Sequence, residues 1–354
     1  MSSSDDIARI QSCIGNQLDK RAIGAKPIVG VIGDSPSRYS KSPALWNAAF
    51  HALKIKAVYV ALDVDQAQLP ALAGAVRGSS WILGLQVTVP HKVAVMNYLD
   101  ALDETATRVG AVNTIVRTED GRLLGANTDG EGFVESLLTV QPGSAASLVE
   151  SLKGINALVL GAGGSARAVG FALAEKLEGG HLFIANRTFA SAVALAAEIV
   201  GATGRSPLHA AAIREEEIRD YAPRVELIVN CTTKGQSGLL ETYSALAPAN
   251  PANASEPASA APADVEANHR DSWDLARSIP KTTVFYDLVY HPAETVFLRH
   301  GRESGHRTLN GEGMIVAQAV EAFFNHICRR QLERAGLHTE ETRRRILEIM
   351  ARAW

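Results

Sequence analysis

The chain has 354 residues, a formal net charge of −3, 21% charged residues and 46% hydrophobic residues. This length allows two domains with separate cores, and the composition is typical of a soluble globular protein. Because the net charge is slightly negative, we expect no nucleic-acid partner and no binding to an anionic membrane surface. No apolar run reaches the ~18 residues of a membrane-spanning helix, so no membrane partner is expected.

The three cysteines, Cys13, Cys231 and Cys328, are odd in number and far apart. Their spacing matches no metal-binding pattern and indicates reduced thiols in a cytoplasmic protein. We therefore expect no metal. The first 26 residues lack the apolar core of a signal peptide and are predicted to form a flexible leader.

Short β-rich runs alternate with helical patterns through the first 138 residues. This alternation predicts an α/β domain with a mixed or largely parallel sheet. Ser42-Pro43 is predicted to open a helix that continues to Leu53, with the serine hydroxyl as N-cap. The predicted strands are Ile28–Gly33, Ala57–Val64, Gly84–Val89, Ala111–Val116 and Arg122–Ala126, and the later helices are Val93–Leu99, Asp103–Val109 and Gly130–Leu138.

A second α/β unit is predicted after the turn-forming segment 141–144. Inside it, residues around Ala245–Pro262 are almost all Ala, Pro, Asn, Ser and Glu, which predicts a mobile surface insertion over residues 243–265. The last helix, Glu340–Trp354, has one apolar face, which leaves open packing on its own chain or on a partner. The other predicted elements are Ala157–Leu160, Arg167–Leu177, His181–Ala185, Ala190–Val200, Leu227–Asn230, Thr283–Val289 and Glu312–Arg330.

A glycine-rich segment follows the predicted strand Ala157–Leu160 and precedes a predicted helix. It reads Gly161-Ala162-Gly163-Gly164-Ser165-Ala166 and fits the dinucleotide-binding pattern G-x-G-x-x-G/A. Glycines permit the tight turn, and the N–H groups of a helix N-terminus favour phosphate. The segment predicts nucleotide binding in a doubly wound, Rossmann-type domain.

The end of the next strand indicates which nucleotide is bound. NAD-binding proteins place an acidic residue there, which accepts the ribose hydroxyls and repels a 2′-phosphate. This chain has Asn186-Arg187-Thr188 instead. Since an arginine can bind a phosphate through two hydrogen bonds, the segment favours NADP(H).

Two further segments carry a lysine and an aspartate at the ends of predicted strands. Lys92 ends Val87-Thr88-Val89-Pro90-His91-Lys92, and Asp129 lies in Asn127-Thr128-Asp129-Gly130. A buried lysine–aspartate pair can donate a proton to an oxygen while a hydride arrives from a cofactor. Beside the glycine loop, the pair predicts an oxidoreductase rather than a surface lysine and a helix cap.

Taken in order, these segments resemble the shikimate dehydrogenase family, which reduces 3-dehydroshikimate to shikimate with NADPH. The resemblance runs from about Ile28 to about Ile327. Besides the segments above, it is carried by Ser40-Lys41-Ser42-Pro43, Gly110-Ala111-Val112-Asn113-Thr114, Asn230-Cys231-Thr232, Asp287-Leu288-Val289-Tyr290-His291-Pro292 and the segment from Asn310 to Gln318.

The resemblance implies a fold, two ligands and a set of site residues. Residues 27–138 and 308–354 would form a discontinuous substrate-binding domain, and residues 139–307 the NADP(H)-binding domain of a cytoplasmic monomer or homodimer. Lys92 and Asp129 would be the catalytic pair. The implied contacts of the substrate, shikimate or 3-dehydroshikimate, are Ser40, Ser42, Thr88, Asn113, Asn127, Tyr290 and Gln318. Those of the cofactor are Gly161, Gly163, Gly164, Ser165, Ala166, Asn186, Arg187, Thr188, Thr232 and Gly311.

Some residues depart from the family's pattern. Tyr39 stands where many family members have histidine, so we expect a differently shaped carboxylate pocket. Trp46 also replaces a common histidine, and there we expect a change in packing. The second basic residue that often follows the Asn-Arg-Thr motif is absent from Phe189-Ala190-Ser191-Ala192. NADP preference would then rest mainly on Arg187.

Three alternative functions share parts of this pattern. A quinate or quinate/shikimate dehydrogenase that uses NAD or NADP would need the same lysine–aspartate pair. A non-catalytic shikimate-binding regulatory protein would tolerate loss of Lys92 or Asp129, and both are present. Glutamyl-tRNA reductase is rejected, because it requires a catalytic cysteine and Cys13 lies in the predicted leader.

Overall fold

The computed structural model describes residues 3–142, 144–204, 209–238, 240–248 and 262–354. The chain divides into two compact units, each with its own six-stranded sheet. The first unit comprises Met1–Gly132 and Val316–Trp354, and the second comprises Phe133–Ile315. No helix in the described ranges is long and apolar enough to cross a membrane.

The sheet of the first unit is mixed. Its strands lie in the order β2-β1-β3-β5-β6-β4, and β5 is antiparallel to both β3 and β6. The connection between β5 and β6 is too short for the crossover that parallel strands require, so these two strands form a hairpin. The strands are β1 (Ile28–Gly33), β2 (Val58–Asp63), β3 (Ile82–Val87), β4 (Ala101–Leu102), β5 (Thr114–Arg117) and β6 (Leu123–Ala126).

Helices cover this sheet and carry the segments that the sequence analysis singled out. The segment predicted as a helix after Lys92 is a 3₁₀-helix, Ala94–Tyr98, and Leu69–Gly78 is a helix that was not predicted. The α-helices of this part are α1 (Ser3–Gln11), α2 (Lys20–Ile23), α3 (Pro36–Tyr39), α4 (Ser42–Ala52), α5 (Leu69–Gly78), α6 (Glu104–Val109) and α7 (Asp129–Leu138).

The predicted flexible leader is ordered, so that prediction was wrong. Helix α1 buries Ile7 and Ile10 in the core of the first unit, where it packs along α5. The Ser79 hydroxyl donates a hydrogen bond of 2.8 Å to the buried Asp6 carboxylate. Isoleucines three residues apart share one face of a helix, and this short amphipathic pattern was not recognised as a core element.

The sheet of the second unit is entirely parallel, in the order β12-β11-β10-β7-β8-β9. This is the doubly wound order, in which the chain reverses direction across the sheet between β7 and β10. The mixed α/β fold class predicted from the sequence is confirmed. The strands are β7 (Ala157–Leu160), β8 (Leu182–Ala185), β9 (Ala210–Ile213), β10 (Leu227–Asn230), β11 (Val284–Asp287) and β12 (Thr308–Leu309).

Most helices of the second unit follow strands and pack back on the sheet. Helix α8 begins at the glycine-rich segment, three residues earlier than predicted, and α9 begins directly after the Asn-Arg-Thr segment. They are α8 (Gly164–Lys176), α9 (Phe189–Thr203), α10 (Ile218–Tyr221), α11 (Pro262–Ser278) and α12 (Val296–Glu303). Helix α13 (Glu312–Glu321) begins in the second unit and ends in the first.

The predicted mobile insertion over 243–265 is partly wrong. Tyr243 to Ala247 are buried, and Leu246 packs in the core of the second unit with Ile218 and Leu275. The Asn268 side chain from α11 bonds the backbone N–H and the carbonyl of Ser244, at 2.8 and 3.1 Å. The alanine-rich composition hid this anchored segment. Residues 249–261 lie outside the described ranges.

The C-terminal part returns to the first unit. The helix predicted over Glu312–Arg330 is not continuous, because a π-helical segment, Ala322–Ile327, separates α13 from α14 (Arg329–Arg334). The last helix, α15 (Glu340–Arg352), packs on α4 of its own chain and buries Ile346 and Met350. This packing resolves the alternative that the sequence left open for α15.

Candidate active site

Lys92 and Asp129 meet in the first unit as an ion pair. Their Nζ and Oδ2 atoms are 2.6 Å apart, and the side chains are only 13% and 5% exposed. Asp129 is the first residue of α7, while Lys92 lies in the turn after β3. The Val112 N–H donates to the Lys92 carbonyl at 2.7 Å, which ties this turn to the neighbouring segment. Little water surrounds the pair, so the attraction between the charges is stronger than at a surface.

Hydrogen bonds hold the Asp129 carboxylate on the side opposite Lys92. Its Oδ1 atom accepts from Asn113 Nδ2 at 2.8 Å, and its backbone N–H donates to Asn127 Oδ1 at 3.1 Å. The Asn127 amide donates in turn to the Ala111 carbonyl at 2.9 Å. Asp129 is the one hydrogen-bond partner of Lys92 Nζ among residues within the described ranges. An ammonium carries three donors, so the remaining donors of Lys92 are available to a ligand.

Gln318, from α13, is the centre of a second group of buried amides. Its Oε1 atom accepts from Gln86 Nε2 at 2.9 Å and from Asn113 Nδ2 at 3.3 Å. The Thr128 hydroxyl donates to the Gln318 carbonyl at 3.1 Å. These bonds join residues 190 to 232 positions apart in the sequence and connect the C-terminal segment to the Lys92–Asp129 pair.

Two residues of this network were missed by the sequence analysis. Gln86 is buried in β3, and its Oε1 atom accepts from the buried Tyr59 hydroxyl at 2.7 Å. The available signal was a glutamine inside the otherwise apolar run Ile82–Val87, since a polar side chain in a buried strand needs a partner. Tyr59 carried no comparable signal, because tyrosine is common in strands.

The two serines predicted to bind the substrate carboxylate lie at the start of α4. Ser42 does not act as the predicted N-cap: α4 begins at Ser42 itself, with Lys41 at the cap position and no side-chain capping bond. The Ser42 hydroxyl is hydrogen-bonded to Tyr59 instead, and burial raises the pKa of that phenol well above its usual value. Ser40 Oγ accepts from the Ser42 N–H at 3.3 Å. Their hydroxyls therefore lie beside the amide network.

Thr88 and Tyr39 form a neighbouring contact. Thr88 follows β3, its N–H donates to the Ile32 carbonyl at 2.8 Å, and its side chain hydrogen-bonds to the Tyr39 phenol. Tyr39, which stands where the family often has histidine, is 41% exposed. His91 points away from this contact, because its Nε2 atom lies 2.6 Å from the Val64 carbonyl in the core. The side chain of Thr88 thus adjoins a phenol rather than an imidazole.

The glycine-rich segment of the second unit forms the turn between β7 and α8. Gly161 has a φ of +114°, and a Cβ there would lie 3.1 Å from the Cys231 carbonyl oxygen, so glycine is required. A Cβ at Gly163 would meet nothing within 4 Å, so the space beside the helix N-terminus is open. The N–H groups of Gly164, Ser165 and Ala166 belong to the first turn of α8, where no helix carbonyl accepts from them. The segment fits the pyrophosphate of a dinucleotide.

Other predicted cofactor residues also follow strands of this sheet. Arg187 and Thr188 are exposed after β8, and the Asn186 amide donates to the Thr188 carbonyl at 3.0 Å. After β10, the Thr232 N–H and hydroxyl donate to Asn230 Oδ1 at 2.9 and 2.7 Å. A Cβ at Gly311 would clash with the carbonyl oxygen of Leu288, the residue after β11. Glycine at 311 therefore has a packing reason of its own. Tyr290, predicted to contact substrate, lies in the loop after β11.

Asp287, at the end of β11, anchors these loops and was not predicted as a functional residue. Its carboxylate accepts from Asn230 Nδ2 and the Val289 N–H, both at 2.9 Å, and from the Thr295 hydroxyl at 2.6 Å. Burial raises the pKa of Asp287 to about 7, although these three donors oppose the shift. Asp287 thus holds Asn230, which in turn holds Thr232.

Known proteins are similar to this chain in sequence. The model of the shikimate dehydrogenase substrate binding domain matches residues 31–115. A shikimate dehydrogenase (NADP(+)) of Symbiobacterium thermophilum is 39% identical over 303 residues, which cover 85% of this chain and 88% of that protein. The corresponding protein of Caldanaerobacter subterraneus is 36% identical over 300 residues, which cover 84% and 90%. This chain belongs to the shikimate dehydrogenase family.

Solved structures of the family agree with the fold. A shikimate 5-dehydrogenase of Thermus thermophilus, in complex with NADP(H) and shikimate, is 30% identical with a TM-score of 0.64, and the match covers 93% of this chain and 100% of that one. A quinate dehydrogenase of Corynebacterium glutamicum, in complex with NAD, is 28% identical with a TM-score of 0.65, and the match covers 92% and 98%. Solved structures similar to this chain are therefore named for different substrates and were crystallised with different nucleotides.

Proposed function

We propose that this protein is an NADP-dependent shikimate dehydrogenase, which interconverts 3-dehydroshikimate and shikimate. The observation that carries the proposal is the buried contact of 2.6 Å between Lys92 and Asp129, surrounded by neutral amides and hydroxyls. Family membership and relatives named shikimate dehydrogenase (NADP(+)) support the substrate and cofactor.

Lys92 supplies the proton of the reduction. When bound, the reduced nicotinamide cofactor supplies a hydride to the carbonyl carbon of the substrate. Negative charge then develops on the carbonyl oxygen, and the Lys92 ammonium stabilises it and transfers a proton to it. In the reverse direction, the neutral amine accepts the proton of the hydroxyl. Asp129 holds Lys92 in place through their 2.6 Å contact.

The neutral side chains around the pair suit a small acid with several hydroxyl groups. Asn113, Asn127, Thr88 and Gln318 offer short hydrogen bonds in place of charges, while Ser40 and Ser42 are assigned to the carboxylate. Hydrogen bonds within the protein place Asn113, Asn127 and Gln318 before any ligand arrives, which reduces the entropy lost on binding. Tyr290 and the cofactor contacts at the glycine-rich segment, Thr232 and Gly311 keep the roles that the resemblance implies.

A quinate or quinate/shikimate dehydrogenase is the second candidate. It is favoured by the similarity to a quinate dehydrogenase and by Tyr39, whose phenol contacts Thr88 where many relatives have histidine. Such an enzyme would use the same Lys92–Asp129 pair and the same chemistry. The two candidates differ in the substrate hydroxyls that the pocket must accept.

The deciding experiment is a two-by-two assay of the purified full-length chain. Shikimate and quinate are each offered with NADP⁺ and with NAD⁺, and reduced cofactor is followed by its absorbance. Turnover mainly with shikimate and NADP⁺ supports the proposal. Preference for quinate or NAD⁺ overturns the assigned substrate or cofactor. Folded protein that binds shikimate without turnover in any combination would instead be a regulatory ligand-binding protein.

A further inference from the structure

Three cationic side chains follow three strands of the second unit's sheet at its carboxyl edge. Arg187 follows β8, Arg214 follows β9 and Lys234 follows β10. Strands β8 and β9 are parallel neighbours with Ala185 and Ile213 in register. Adjacent strands lie about 5 Å apart, so the segments that carry Arg187 and Arg214 leave neighbouring strands of the sheet. In a doubly wound sheet, this edge is where a dinucleotide binds.

Arg214 is held by an aromatic ring. Its guanidinium carbon lies 4.4 Å from the centroid of the Phe189 ring, and Phe189 is the first residue of α9, two positions after Arg187. The backbone N–H of Arg214 donates to the Glu217 carboxylate at 2.6 Å, which fixes the turn that carries the arginine. Stacking uses the face of a guanidinium and leaves its N–H donors free to bind a phosphate. Neither Arg187 nor Arg214 has a carboxylate partner for its side chain in the part of the chain described.

Lys234 has a different role, because it is buried. Its ammonium donates to Glu215 Oε1 at 2.8 Å and to the Ala247 carbonyl at 2.7 Å. Burial is the main cause that lowers the pKa of Lys234, and the nearby charge of Arg187 adds to the effect. The ion pair neutralises Glu215, the residue next to Arg214. Without Lys234, the Glu215 carboxylate would repel a phosphate or attract Arg214; in the ion pair it is bound to Lys234 instead.

We propose that Arg214 is the second guanidinium that binds the 2′-phosphate of NADP, beside Arg187, and that it contributes to selectivity for NADP over NAD. The inference rests on the proposed function, whose cofactor it makes specific. It explains how the chain can bind the 2′-phosphate although Phe189-Ala190-Ser191-Ala192 contains no basic residue. There, Phe189 provides the ring that positions an arginine from the next strand.

The test measures binding of two cofactor fragments to the full-length protein by calorimetry. Adenosine 2′,5′-bisphosphate carries the 2′-phosphate, and adenosine 5′-monophosphate lacks it. Arg214→Ala is expected to weaken binding of the bisphosphate about tenfold, as expected for loss of one charge-assisted hydrogen bond, with a much smaller change for the monophosphate. Arg214→Lys keeps the charge but cannot stack a planar group on the ring. Its affinity for the bisphosphate should lie between those of the wild type and Arg214→Ala.

Arg224→Ala is the matched control. Arg224 also lies over an aromatic ring, 5.8 Å from the centroid of Tyr221, but it precedes β10 and so lies at the amino edge of the sheet. Its removal lowers the net charge equally and should leave both affinities unchanged. Phe189→Leu should weaken bisphosphate binding in part, and it provides an independent test if Arg214→Ala does not fold.

Several outcomes would overturn the assignment of Arg214. These are equal losses for both fragments, no loss for either, or an Arg224→Ala effect as large as that of Arg214→Ala. The fragments bind without substrate, so the result is separate from that of the two-by-two assay. Absence of shikimate turnover together with Arg214-dependent bisphosphate binding would contradict the proposed substrate and support the NADP contact.

Discussion

The two units achieve recognition by different means. In the first, the polar side chains of the candidate site bond to one another: Lys92 to Asp129, Asp129 to Asn113, and Gln86 to Gln318, all largely buried. In the second, the predicted donors are backbone N–H groups at a glycine turn and exposed arginines. A small polyol is distinguished by hydrogen-bond geometry, which requires positioned partners, whereas a phosphate is distinguished by charge. Single substitutions should therefore cause large losses of activity or stability in the first unit and smaller, partial losses of cofactor affinity in the second.

The largest expected effect is that of Lys92→Ala. Loss of the proton donor should lower turnover about 1000-fold while shikimate binding largely survives. The measurement is kcat for shikimate oxidation, with the shikimate dissociation constant determined by calorimetry. Lys153→Ala is the control, because Lys153 forms an exposed pair with Glu178 at 2.7 Å. Near wild-type turnover of the Lys92 variant would remove this residue from the mechanism.

Asp287 tests whether one buried group of the second unit affects the free energy of unfolding as strongly as the network of the first unit does. Its pKa is raised by burial to about 7 in the folded chain, above the unfolded value. Its stabilising contribution is therefore complete below the unfolded pKa and is lost as pH rises through 7, by about 4 kcal/mol at most. Asp287→Asn cannot ionise and should remove this dependence.

The measurement for Asp287 is the urea midpoint between pH 4 and pH 8 for the wild type and the variant. Other groups titrate equally in both proteins, so the difference between the two midpoints isolates Asp287. We expect the wild type to lose stability relative to Asp287→Asn as pH rises. A difference that does not change with pH would show that Asp287 does not titrate in this range.

Gln86→Leu should break the amide network without touching the Lys92–Asp129 pair. It leaves the Tyr59 hydroxyl and Gln318 Oε1 without this buried partner, which should lower the free energy of unfolding by about 2 kcal/mol. The Michaelis constant for shikimate should rise, because the Gln318 side chain loses its hydrogen bond of 2.9 Å from Gln86. Gln66→Leu, at an exposed position, is the control. Unchanged stability together with an unchanged Michaelis constant would mean that the network is not needed for positioning.

Arg187→Ala should have the smallest effect of the four. Because Arg187 is exposed and shares the phosphate with Arg214 in our proposal, the Michaelis constant for NADP⁺ should rise only about tenfold. The Michaelis constant for NAD⁺ should change far less. Arg219→Ala is the control and should change neither Michaelis constant. Equal increases for the two cofactors would show that the 2′-phosphate is held elsewhere.

The parts of the candidate site that could be predicted are those that local patterns encode. The glycine turn at Gly161, the strand end at Arg187 and the segments that end in Lys92 and Asp129 are short, and their chemistry can be inferred from neighbouring residues. Weak local signals failed elsewhere. The isoleucine pair of α1 and the buried residues 243–247 looked like a leader and an insertion, because only their packing partners give them order.

The sequence by itself determined the α/β class, the glycine turn and the segments that supply a lysine, an aspartate and an arginine. Only the tertiary structure decided which of these side chains meet. Gln86 and Gln318 are 232 positions apart, and Arg214 reaches Phe189 because β8 and β9 are neighbours. Periodicity and turn chemistry act over a few residues, whereas contacts between distant side chains depend on how strands are ordered and how helices pack.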